Sequence, residues 1–130
     1  MRAGTKNYRG IILSISQKDK SAIAALSLIG QKRVIPGAVT LYKVEVEPAA
    51  LERTIGRLQD NMAERWLHIR GFYVHFYRDK ELIVAFKHRV FRAHAYDKTT
   101  WEEMIEYGKS VHTPERQLDF FPCTVEQETY

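Results

Sequence analysis

The feature that most constrains this chain is the alternation in residues 72–77. Phe72, Val74 and Phe76 fall on one side of an extended segment and Tyr73, His75 and Tyr77 on the other, because successive strand side chains point to opposite faces. Arg78-Asp79-Lys80 then supplies a turn, the apolar run 82–86 returns, Lys87-His88-Arg89 turns again, and residues 90–95 continue. Strands joined by such short turns make an antiparallel meander, and its apolar side requires a second layer.

Two helices can supply that layer. Pro48 suits the first position of a helix, where its missing N–H is not needed. Leu51, Ile55, Leu58 and Met62 then recur at helical spacing as one apolar stripe. A second helix opens at Asp97 or Thr99. Thr99 and Glu102 have the spacing of a capping box, Trp101, Met104 and Ile105 supply the buried side, and Gly108 is placed to stop it.

The N-terminal part is less determinate. Residues 10–16 read as a first strand, with Ile11, Leu13 and Ile15 on one face. Residues 19–25 form a helical turn followed by a strand over 26–34, or residues 21–32 form a single helix. Residues 40–46 form a strand with Tyr42, Val44 and Val46 on one face and Lys43 and Glu45 on the other. Thr113-Pro114-Glu115 starts one more short turn. The fold expected is α+β. It is a single-domain ferredoxin-like sandwich over residues 1–130, with an antiparallel sheet, two main helices packed on one face, and flexible ends at 1–9 and 124–130.

Composition limits the setting. With 45% hydrophobic and 28% charged residues in 130, the chain resembles an ordinary globular protein. Its apolar runs fall far short of the roughly 20 residues that span a bilayer, so no membrane partner is expected. The stretch from Arg2 to Arg9 leads only into a brief apolar run, which does not make a signal peptide. The lone Cys123 excludes an intrachain disulfide and suits a reducing cytoplasm. The net charge is +4, unevenly spread: residues 1–43 carry eight positive side chains against Asp19 alone, whereas residues 110–130 are net acidic. A basic end of this kind attracts an anion such as nucleic acid, or stays solvated opposite the acidic tail of its own or a neighbouring chain.

Catalytic motifs are missing. The seven glycines have neither dinucleotide-loop nor P-loop spacing. His75 and His94 could meet across the meander, yet no third ligand at a defined spacing joins them, so no metal or cofactor is assigned. Glu102, Glu103 and Glu106 complement a helix dipole better than they form an acid/base pair. The enzyme reading is therefore the weaker one, and no catalytic residue is assigned.

Four segments carry a resemblance: Phe72-Tyr73-Val74-His75-Phe76-Tyr77-Arg78-Asp79, Val84-Ala85-Phe86-Lys87-His88-Arg89-Val90-Phe91, Tyr107-Gly108-Lys109-Ser110, and Pro114-Glu115-Arg116-Gln117-Leu118-Asp119-Phe120-Phe121-Pro122. Together they resemble a group of small microbial proteins with no assigned function, over roughly residues 40–122. The chain departs from that pattern at Val111-His112-Thr113 and at His75. The resemblance implies one α/β domain and transfers no activity.

The binding surface expected from the residues is Tyr73, His75 and Tyr77 with Lys87, His88, Arg89 and Arg92. An aromatic sheet face left uncovered by helices suits a homodimer interface. The expected function is thus a non-catalytic interaction module that self-associates through a sheet face. The alternative is a nucleic-acid-binding protein in which the rings stack on bases and the basic groups hold phosphates.

Overall fold

Strand β1 (Tyr8–Leu13) holds two separate pieces of sheet together. It pairs on one side with β3 (Val39–Val46), which forms a hairpin with β2 (Ser27–Ile35), and on the other with β6 (Tyr73–Arg78). Strands β7 (Glu81–Phe86) and β8 (Arg89–His94) complete the meander. The result is a six-stranded sheet in the order β2-β3-β1-β6-β7-β8, with each of these neighbours antiparallel. A small ribbon of β4 (Arg65–Trp66) and β5 (Ile69–Arg70) stands apart from it. The helices are a single turn α1 (Ser21–Ala24), α2 (Leu51–Asp60) and α3 (Glu102–Ser110). This is a computed structural model, and it describes residues 6–35, 39–67 and 69–113.

The meander strands and α2 match the sequence pattern. Pro48 starts a short 3-10 turn that leads into α2, and Leu51, Ile55, Leu58 and Met62 are all buried. They pack with Ile12, Val44, Val74, Phe76, Ile83 and Ala85 in one core. Burial of each large apolar side chain contributes about 1.5–3 kcal/mol. Phe76 needs special room, because a Cβ at Gly10 on the neighbouring strand would overlap its ring.

The second core corrects the expected one-sided packing. Leu82, Val84 and Phe86 alternate with Ile83 and Ala85 along β7, so they face the other way. They pack with Phe91, Trp101 and Met104. Helices α2 and α3 therefore cover opposite faces of the sheet. Strand β7 is buried on both sides, with five consecutive buried residues. Its uninterrupted apolar run, Leu82 to Phe86, is what a doubly covered strand requires.

Other local expectations change in detail. Residues 21–32 are not one helix; α1 ends at Ala24 and β2 begins at Ser27. Strand β1 buries Tyr8 and Ile12 rather than Ile11 and Leu13, and residues 14–16 form a 3-10 turn. Tyr8 and Arg9, expected in a flexible end, belong to β1. The helix start is capped by Asp97, whose carboxylate accepts from the Thr99 N–H and hydroxyl, and not by a Thr99–Glu102 box. Gly108 is buried within α3, which continues to Ser110; the chain leaves at His112, with φ 68°. Residues 1–5 and 124–130, Cys123 and the turn from Pro114 onward lie outside the described residues.

Candidate nucleic-acid interface

The surface expected from the sequence is divided by the fold. Tyr73, His75 and Tyr77 do form a row on α3's side of the sheet, with ring centroids 6.1 and 6.3 Å apart. All three are partly buried, and Tyr73 packs on Phe86 at 5.5 Å. Burial pushes the His75 imidazole down to about 4, so it is neutral at physiological pH. Arg92 pairs in register with Ile83 and so emerges on α2's face, opposite that row. Lys87 donates to the Met62 carbonyl at 2.6 Å, at the end of α2. The Arg89 guanidinium lies 4.6 Å from the Phe91 ring centroid and 5.7 Å from that of Tyr107. His88 is exposed at the turn. His94 is two strands from His75 and out of line with it. No three His, Cys, Asp or Glu side chains are grouped as metal ligands among the described residues.

A different group of basic residues does converge. Past the end of α2, Lys18, Lys20, Arg33 and Arg65 surround an open groove of about 720 Å³. Ser14, Gln17 and Thr40 add polar groups, and Tyr42 and Trp66 supply aromatic walls. Both rings are partly buried against the α2-side core, which holds them in place.

The groove is positioned by a hydrogen-bonded seam between residues 14–20 and 58–63. The Lys18 N–H donates to the Asn61 carbonyl at 2.8 Å, and the Ala63 N–H to the Ser16 carbonyl at 2.8 Å. Gln17 Nε2 donates to the Leu58 carbonyl at 3.2 Å, while Gln17 Oε1 accepts from Asn61 Nδ2 at 3.0 Å. Asn61 Nδ2 also donates to the Asp19 carbonyl at 2.7 Å. Across the groove, the Thr40 N–H donates to Ser14 Oγ at 2.9 Å, tying the β2–β3 hairpin to the same seam.

Its electrostatics are one-sided. No carboxylate lines the groove among the described residues. The nearby Asp19 carboxylate accepts from the Ser21 hydroxyl and N–H, and those bonds lower its pKa. Like charges gathered in this way repel, weakly in water and less so in salt. A bound polyanion converts that repulsion into attraction.

Sequence reasoning found the basic N-terminal third but not this assembly. Arg65 and Trp66 come from beyond α2, and the seam together with the packing of Trp66 on the core brings them to the groove that Lys18 and Arg33 also line. Comparison of the chain with protein-family models, curated proteins and solved structures finds no match in any of the three. No helix among the described residues is long and apolar enough to cross a membrane.

Proposed function

We propose that the protein is a non-catalytic binder of single-stranded nucleic acid, with the groove past the end of α2 as its binding surface. The observation that carries this reading is the convergence of Lys18, Lys20, Arg33 and Arg65 around Tyr42 and Trp66, with no acid among the described residues that line the groove. Cations hold phosphates without regard to sequence, and aromatic walls accept bases only when those bases are unstacked from a duplex. Fluorescence anisotropy with short RNA and DNA oligomers at two salt concentrations tests it. Four phosphate contacts give a log–log salt slope of about −3 for a single strand. Arg33→Ala with Arg65→Ala should weaken binding and reduce the slope by about half. Absence of binding at low salt, or an unchanged slope in the double variant, rejects the reading.

Self-association is the second reading. The face that carries Tyr73 is covered by α3. The observation that favours self-association is on β2, the edge of the sheet, where Leu28 is 48% and Ile29 40% exposed. Unpaired strand edges recruit other strands. Light scattering after size exclusion should give twice the chain mass, and Ile29→Lys should return it to the monomer value. A monomer mass for the unmodified chain rejects this reading.

A further inference from the structure

Beyond the β4–β5 ribbon lies a second, more enclosed hollow of about 220 Å³ that shares only Ala63 with the groove. Its volume is about seven waters' worth of liquid, so it suits a small molecule and not a polymer. Its inner surface is apolar: Met62, Phe72 and Phe86 are buried, and the Tyr107 ring stands 4.9 Å from Phe86 in an edge-on arrangement.

The walls are fixed before any ligand arrives. The Thr113 hydroxyl donates to the Gly71 carbonyl at 2.7 Å, and the Thr113 N–H donates to the Gly108 carbonyl at 2.9 Å. These bonds latch the end of α3 to the start of β6. Gly71 has φ 69°, and a Cβ there would overlap Thr113, so only glycine fits the latch.

The rim is basic. Arg70 and Lys87 contribute permanent charge and His88 and His112 contribute imidazoles, against Glu64 as the single carboxylate lining it among the described residues. Arg70 also stands directly opposite Arg65 in the ribbon, a like-charge cross-strand pair that costs stability unless an anion relieves it. Neither arginine is ion-paired with a described residue. We infer that this hollow binds a small aromatic carboxylate, its ring against Phe72, Phe86 and Tyr107 and its carboxylate on Arg70. A guanidinium fork matches a planar carboxylate with two parallel hydrogen bonds, and aromatic walls favour edge-on or offset rings.

Benzoate and its uncharged analogue benzamide test the assignment in amide proton–nitrogen NMR titrations of the full chain. Benzoate should cause saturable shifts centred on Gly71, Phe86, His88 and Val111. Arg70→Gln, at an exposed position, should weaken benzoate about tenfold with the spectrum otherwise intact, and benzamide should be weaker than benzoate by a similar factor. Lys18→Ala with Arg33→Ala should leave benzoate affinity unchanged, which separates this site from the groove. Non-saturating shifts, equal binding of benzoate and benzamide, or indifference to Arg70→Gln would overturn it.

Discussion

Strands β7 and β2 belong to one antiparallel sheet and meet opposite fates. Each contains adjacent large apolar residues: Leu82 to Phe86 in β7, Leu28 and Ile29 in β2. In β7 all five are buried, because β6 and β8 flank the strand while α2 and α3 cover its two faces. In β2 both are exposed, because among the described residues it pairs only with β3, at the edge of the sheet. Hydrophobicity alone did not decide burial; the number of neighbours did. Packing is concentrated where both sheet faces are covered, and positive charge is gathered beside the N-terminal hairpin.

The strongest way to break this comparison is to truncate both regions. Trp101→Ala removes a fully buried ring and its Nε1 hydrogen bond to the His94 carbonyl at 2.8 Å. Urea unfolding should show a loss of about 3–5 kcal/mol. Leu28→Ala should stay within about 0.5 kcal/mol of the unmodified chain. Similar losses at both positions would show that the hairpin half is as tightly packed as the meander.

A medium effect sharpens the comparison through pH. His75 has a pKa of about 4 when folded, below the ordinary value of 6.5, because burial disfavours its charge. The unfolded chain therefore binds more protons between these values, and stability falls as pH drops from 6.5 toward 4. The full shift corresponds to about 3 kcal/mol, and the partial exposure of the ring reduces the expected loss to roughly 1–2 kcal/mol. His75→Phe should flatten this part of the pH profile. Among the acids, Glu81 behaves differently from His75. Burial pushes the Glu81 carboxyl up, but bonds from Arg78 and Tyr8 outweigh it and hold it below the usual range. Its contribution is lost only at lower pH, so a slope that survives His75→Phe above pH 5 would mean the imidazole is not the source.

The smallest stability effect belongs to the groove. Lys18→Ala with Lys20→Ala should change unfolding free energy by no more than about 0.5 kcal/mol, since both side chains are exposed. The same variant should lower oligonucleotide affinity. A large destabilisation would show that these lysines support the hairpin half instead of a ligand.

How much was legible varies along the chain. The α2 stripe of Leu51, Ile55, Leu58 and Met62 and the turns after Arg78 and Phe86 follow from spacing and turn chemistry, both local properties. Residues 26–34 read as a strand or, over 21–32, as part of a helix, because Leu28 and Ile29 do not distinguish a short strand from one side of a helix; the strand is observed at Ser27–Ile35. Arg92 leaves the candidate surface, because alternation along β8 carries it to the face opposite Tyr73. Alternation puts Lys43 on the polar side of β3, yet it is 4% exposed. The groove had a visible half, the basic N-terminal third. Arg65 and Trp66 carried no signal that would attach them to it.

The amino-acid order by itself determined the period of each segment, the places where the chain must turn, the absence of familiar catalytic motifs and the unequal distribution of charge. These depend on residues within a turn or two of each other, where side-chain direction and backbone sterics act alone. The tertiary structure decided that β1 enters between β3 and β6, that α3 lies across the sheet from α2, and that Asn61 and Gln17 tie the loop carrying Lys18 to the end of α2. Those outcomes depend on pairing between segments tens of residues apart. Many partners satisfy the same local pattern there, and only the joint burial of both sheet faces selects among them.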